Sequence, residues 1–166
     1  MSWRVQLLDL PEHLFRLGAA VLIGCLIGIN REVHRKPTGV RTLGLVGLGS
    51  ALAVLVVTDA FPDATGADVS RAIQGVITGI GFLGAGVILK DSSRSRVHGL
   101  TTAASIWVTA CLGVACALGA WEAVFVSSGL MVALLAIGER LDKALHRRWS
   151  VEEAARPGGR EDDSPS

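Results

Sequence analysis

Residues 71–109 read RAIQGVITGIGFLGAGVILKDSSRSRVHGLTTAASIWVT. Ala72 to Leu89 contains no charged residue and holds five glycines, Gly75, Gly79, Gly81, Gly84 and Gly86. A basic stretch follows from Lys90 to His98, and a second uncharged run opens at Gly99. The economical reading is two apolar helices joined by a tight charged turn. Gly79, Gly81 and Gly84 have the G-x-G-x-x-G spacing of a dinucleotide fingerprint. That motif needs a preceding strand and an acidic residue about 20 positions further on. Residues 100–106 read LTTAASI, without a carboxylate, and no amphipathic helices are present to cover a parallel sheet. A membrane helix explains the glycines better. At about 100° per residue, Gly75, Gly79 and Gly86 fall within roughly 40° of one another, with Gly81 and Gly84 opposite. Lipid gives apolar helices no hydrophobic reason to associate, so close van der Waals packing must supply it. The stretch therefore predicts a central helix gripped on both sides.

The rest of the chain has the same character. It has 166 residues, 50% hydrophobic and 19% charged, with mean hydropathy +0.48. This is too apolar for a soluble domain and suits a polytopic membrane protein in a lipid bilayer. The net charge of +1 says nothing about partners, and no nucleic acid is expected. Cys25, Cys111 and Cys116 lie inside apolar runs without a second Cys or His at metal-ligand spacing, so no metal or cofactor is expected.

Taken in order, residues 1–13 form a polar segment, read as neither a signal peptide nor a span. Residues 14–140 form the transmembrane domain, with spans at Leu14–Ile29, Thr42–Thr58, Ala72–Leu89, Leu100–Leu118 and Ala123–Gly138. Gly24 and Gly28 make a G-x-x-x-G packing face on the first. Residues 141–166 form a basic tail, helical and amphipathic at first, then disordered from Arg156, with no soluble domain expected after it. The class is all-α, with about five transmembrane helices.

Lys and Arg set the orientation. Segments 30–41, 90–98 and 139–166 hold 13 of the 16 basic residues, and the alternate segments hold three. The N-terminus should be outside and the C-terminus cytoplasmic. Arg41-Thr42 and Gly99-Leu-Thr101-Thr102 then start the second and fourth spans on the cytoplasmic side. Hydroxyls and two positive helix ends there make either ordinary caps or a shared polar site. At the other end, Asp68 caps the third span with Arg71 on its first turn, a surface ion pair or a weak cation ligand.

These motifs together resemble the MgtC/SapB family of membrane proteins, from about Leu14 to Arg140. The segments that carry the resemblance are GIGFLGAGVI (79–88), GLTTAA (99–104) with Trp107, KPTGVRT (36–42), GINRE (28–32), and Asp68 with Arg71. Asn30 stands where the family usually has Glu, Thr38 where it has Ala, Thr101 where some members have Asn, and Val108 where some have Cys. The soluble C-terminal domain of many members is not seen. The resemblance implies a bacterial inner-membrane protein linked with growth in low magnesium, virulence, membrane energetics and phosphate. It marks Asn30, Arg31, Arg41, Thr42, Asp68, Arg71, Gly99, Thr101 and Thr102 as candidate functional residues. No catalytic constellation is present, so an enzyme is not expected. Two readings remain: a regulator that packs into a homo-oligomer or larger membrane complex, or a transporter subunit for Mg²⁺ or a related ion. The orientation is checked by cysteine labelling in a Cys-free background. Ser93→Cys is expected to resist a membrane-impermeant reagent added to intact cells, and labelling from outside would reverse the topology.

Overall fold

The computed structural model describes residues 10–34, 36–61, 63–91 and 96–154. They form α1 (Leu10–Val33), α2 (Val40–Ala60), α3 (Gly66–Val87), β1 (Leu89–Asp91), β2 (Arg96–His98), α4 (Leu100–Ala117) and α5 (Trp121–Ala154). Two compact units divide the chain, Met1–Gly129 and Leu130–Ser166. The first holds α1 to α4 and the start of α5, and the second continues α5 to Ala154. The expectations for residues 1–9 and for the chain beyond Ala154 lie outside the described residues.

About five transmembrane helices were expected, and five helices form among the described residues. Segments 10–33, 40–59, 100–117 and 121–138 are long and apolar enough to cross a membrane. The 22-residue α3 is not among those four. Its six glycines and its polar first turns, with Asp68, Arg71 and Gln74, dilute its apolar content. The all-α class needs one amendment. The basic connector after α3 is an antiparallel hairpin, with Leu89 opposite His98 and Asp91 opposite Arg96. The first helix also runs past its expected end, so Asn30 and Arg31 are helical.

Local chemistry sets two of the helix starts. Thr65 precedes α3, and its backbone N–H donates to Asp68 Oδ2 at 2.9 Å, which satisfies one otherwise exposed donor. Gly99 precedes α4 with φ +94°, and a Cβ there would collide with the Val87 carbonyl at the end of α3. Only glycine combines that backbone angle with that approach.

The glycine span is not the centre of the molecule. That place belongs to α4, of which 56% of the span is buried inside the protein, against 44% for α2 and 22% for α1. Its buried face carries Thr102, Ser105, Ile106, Thr109, Leu112, Gly113 and Cys116. The core joins Ala20, Ala51, Val54, Leu55, Val114, Ala117 and Val124. The glycines that bring backbones together lie on α1, α2 and α4. A Cβ on Gly28 would stand 2.5 Å from Val40 Cα, and one on Gly24 2.8 Å from the Leu43 carbonyl carbon. One on Gly47 would stand 2.5 Å from the Ala20 carbonyl oxygen, and one on Gly113 would overlap the Gly47 carbonyl. On α3, by contrast, Gly75, Gly79, Gly81 and Gly86 have nothing within 4 Å, and Gly84 meets only the Ala103 Cβ at 3.6 Å. The G-x-x-x-G face of α1 is therefore used within the chain, whereas the two glycine faces of α3 are not gripped by it.

Polar contacts tie the helix ends in antiparallel order. At one end, His13 Nε2 lies 2.6 Å from Asp59 Oδ2, and Arg16 Nη1 donates to the Ala117 carbonyl at 2.5 Å. These contacts join the start of α1 to the ends of α2 and α4. Arg16 also pairs with Glu12. A cation at the C-terminus of α4 is favourably placed against its dipole.

Gly24→Leu should lose folded protein, because overpacking a close contact costs about 1–3 kcal/mol or more. Gly79→Leu should leave the monomer's folding unchanged. Folded yield and thermal unfolding in detergent check both, and equal losses in the two variants would contradict the difference in packing.

Candidate functional site

At the opposite end of the bundle, α1 delivers Arg31 one turn beyond Gly28 on the same face. The backbone there is close enough to α2 that Arg31 is only 3% exposed. Its Nη1 donates to Ser105 Oγ at 2.9 Å, and its Nη2 to Thr102 Oγ1 at 2.5 Å and to the Pro37 carbonyl at 3.0 Å. One guanidinium thus joins α1, the turn before α2, and the first turns of α4. Thr102 and Ser105 are themselves 3% and 2% exposed. Ser105 donates to the Thr101 carbonyl at 2.8 Å, so its oxygen is free to accept from Arg31. Thr109, a turn further on, donates to the Ser105 carbonyl at 2.7 Å.

The turn is fixed from the other side as well. Lys36 N–H donates to the Arg31 carbonyl at 3.0 Å. Glu32 lies beside Gly39 and accepts from Val40 N–H at 3.4 Å, which puts a carboxylate at the N-terminus of α2. Thr38 has φ +65°, an uncommon conformation for a β-branched residue. The GINRE and KPTGVRT segments, separate in sequence, are thus two sides of one corner.

The expected residues divide. Arg31 and Thr102 meet in this network, and Gly99 sets the start of α4 beside it. Arg41, Thr42 and Thr101 are exposed, so the shared site expected from Arg41, Thr42, Thr101 and Thr102 does not assemble as such. Arg41 and Thr42 fall on the outward side of the first turn of α2, while Leu43 and Gly44 face inward. Asn30 is half-buried, and its carbonyl lies 2.5 Å from His34 Nδ1. The sequence reading counted Arg31 as a connector charge, although it is the deeply buried cation. Ser105 was not among the expected site residues. The spacing held the signal: Gly24, Gly28 and Arg31 form one stripe on α1, and Thr102, Ser105 and Thr109 form another on α4.

Asp68 and Arg71 lie at the other end. Arg71 Nη1 donates to Asp68 Oδ1 at 2.9 Å, and the Thr65 hydroxyl donates to Oδ2 at 2.7 Å. Hydrogen bonds from the Thr65 backbone and side chain, then from Arg71, hold the Asp68 carboxyl below its usual range. A cleft of about 610 Å³ opens beside them, lined by Val57, Phe61, Asp63, Ala64, Asp68, Arg71 and Ala72.

The sequence of this bundle matches the MgtC family model over residues 17–144, which include the corner, the glycine helix and α4. The chain belongs to the MgtC family. It is 44% identical to Protein SrpB of Synechococcus elongatus over 147 residues, covering 83% of this chain and 81% of that one. It is 40% identical to Protein MgtC of Salmonella typhimurium over 110 residues, covering 66% of this chain and 45% of that one. It is also 38% identical to the putative magnesium transporter YhiD of Escherichia coli over 135 residues, covering 78% and 62%. The chain therefore spans most of SrpB but only about half of MgtC. No solved structure matches it.

In this MgtC-family chain, Thr102→Val removes a hydrogen bond to a buried charge and should cost about 1.5–3 kcal/mol. Thr101→Val, on an exposed side chain, should change stability by less than about 0.5 kcal/mol. Thermal unfolding in detergent measures both, and equal effects would place the network elsewhere.

Proposed function

We propose that this protein is a multi-pass protein of the bacterial inner membrane, with its N-terminus outside and its C-terminus cytoplasmic. Its role is to regulate Mg²⁺ or phosphate homeostasis, or membrane energetics, by binding membrane partners, and it does so without catalysing a reaction. One observation carries the reading. Between the two ends of α1, α2 and α4, the buried polar side chains are the hydroxyls Ser50, Thr102, Ser105 and Thr109. Among them, Ser105 and Thr109 donate to carbonyls of their own helix. A carrier needs ionisable groups or broken helices near the midplane. Among the described residues, the charged side chains cluster at the bundle ends, and α1, α2 and α4 run unbroken.

The open glycine faces of α3 support a partner in the membrane, either another copy or a larger complex. With no side chains beyond Cα, Gly75, Gly79 and Gly86 let a neighbouring backbone approach closely. The orientation is supported by Lys36, Arg41 and the basic hairpin lying on one side, although burial of Arg31 removes one charge from that count. The transporter reading keeps one specific support. The cleft near Asp63 and Asp68 would be an entrance, in keeping with a relative named as a putative magnesium transporter.

Reconstituted vesicles decide between them. The expected result is no Mg²⁺ or phosphate flux above protein-free vesicles, together with loss of low-magnesium growth in a Gly79→Leu, Gly86→Leu variant that inserts normally. A Mg²⁺ flux that Asp68→Asn abolishes would overturn the regulator reading.

A further inference from the structure

The cleft between α2 and α3 combines two kinds of surface. Val57, Phe61, Ala64 and Ala72 give it apolar walls, and Asp63, Asp68 and Arg71 give it charge. Asp68 is already occupied. Its two oxygens receive the Thr65 N–H, the Thr65 hydroxyl and Arg71. A bare cation centred on Asp68 would have to displace those donors. Arg71 is different. Its side chain is 74% exposed, and its bond to Asp68 uses one donor of the five that a guanidinium carries. The remaining donors form a planar fork suited to phosphate. Asp63 is exposed on the rim of the same cleft and supplies the opposite charge.

The position adds a further constraint. The cleft lies where α2 ends and α3 begins, the depth of lipid headgroups for helices that cross the bilayer. Val57 lies one turn below Phe61 on the same side of α2, and Phe61 is 59% exposed at the mouth of the cleft. A ligand seated here meets a guanidinium, a carboxylate and an apolar surface leading into the hydrocarbon. A water-soluble anion uses only the first of these.

We propose that this cleft holds the headgroup of a zwitterionic aminophospholipid. Its phosphate lies on Arg71, its ammonium faces Asp63, and an acyl chain runs along Val57 and Phe61. Asp68 acts as a positioning residue that orients Arg71 from below.

The full chain is purified in detergent, and lipid retention is read by intact-complex mass spectrometry with phosphatidylethanolamine, phosphatidylcholine and phosphatidylglycerol in competition. Phosphatidylethanolamine should be retained preferentially. Arg71→Gln should weaken its retention about ten-fold, the equivalent of roughly 1.4 kcal/mol. Asp63→Asn should remove the preference over phosphatidylglycerol, which lacks the ammonium. Asp63 is exposed and lies on the rim, so an unchanged lipid-free unfolding temperature for Asp63→Asn separates lost binding from lost folding. Arg71→Lys, which keeps the charge without the fork, should bind between wild type and Arg71→Gln. Equal retention of the three lipids, or variants that bind like wild type, would overturn the assignment. Full occupancy by water-soluble phosphoethanolamine, displacing the lipid at equal concentration, would overturn the lipid part by showing that the acyl chain contributes nothing.

Discussion

Three helices meet at Gly47. Its Cα rests on the Ala20 carbonyl of α1, and its own carbonyl rests against Gly113 of α4. In water such contacts would be one contribution among many. In hydrocarbon, an apolar side chain gains nothing by leaving lipid for another helix, so the association of α1, α2 and α4 rests on how closely their backbones pack. Any side chain at Gly47 separates α2 from α1, and any at Gly113 separates it from α4. The tight contacts at Gly24 and Gly28 extend the same line along α1.

The polar corner depends on that line. Arg31 reaches Thr102 and Ser105 because α1, one turn earlier, lies directly on the backbone of α2. A buried guanidinium in a membrane protein is costly unless its donors are used. Three of its hydrogen bonds go to two hydroxyls and a carbonyl, which lie on separate segments of the chain. Lysine would not serve here, since its compact ammonium lacks the planar fork that reaches both hydroxyls at once. The charge therefore fixes how the helices register with one another, and the glycines set the distance at which it can act.

Much of this was legible in the sequence. The uncharged runs gave the helices, Gly24 and Gly28 gave a contact face, and Asp68 read correctly as a cap. The class needed the small hairpin at Leu89–His98 added, because a short basic stretch has no period that distinguishes a turn from two three-residue strands. The centre was misplaced for a physical reason. Glycine content marks where a backbone can be approached, not where one approaches it. On α3 the glycines stay open, while α4, with a single glycine inside its bounds, is enclosed. Arg31 was misplaced because it follows the apolar run and sits next to other charges. Only its register with Gly24 and Gly28 distinguishes it from Lys36 and Arg41, and that register becomes informative once α1 is known to continue to Val33.

The two ends of the bundle handle charge in different ways. At the Arg31 end, the cation is enclosed by hydroxyls and a turn, and Glu32 meets the first N–H groups of α2. That end is built to hold its shape. At the other end, the pairs His13–Asp59, between α1 and α2, and Asp68–Arg71, within α3, are partly exposed and screened by solvent. They can be exchanged for contacts with a ligand at little loss, whereas the bonds of Arg31 cannot. Helix α3 starts from this weaker end and has Ile80 as its one buried residue. It is held less tightly than α1, α2 and α4. A rigid three-helix frame beside a loosely held fourth helix is an arrangement in which binding at the cleft or on the glycine faces can shift α3 without disturbing the contacts at Gly47.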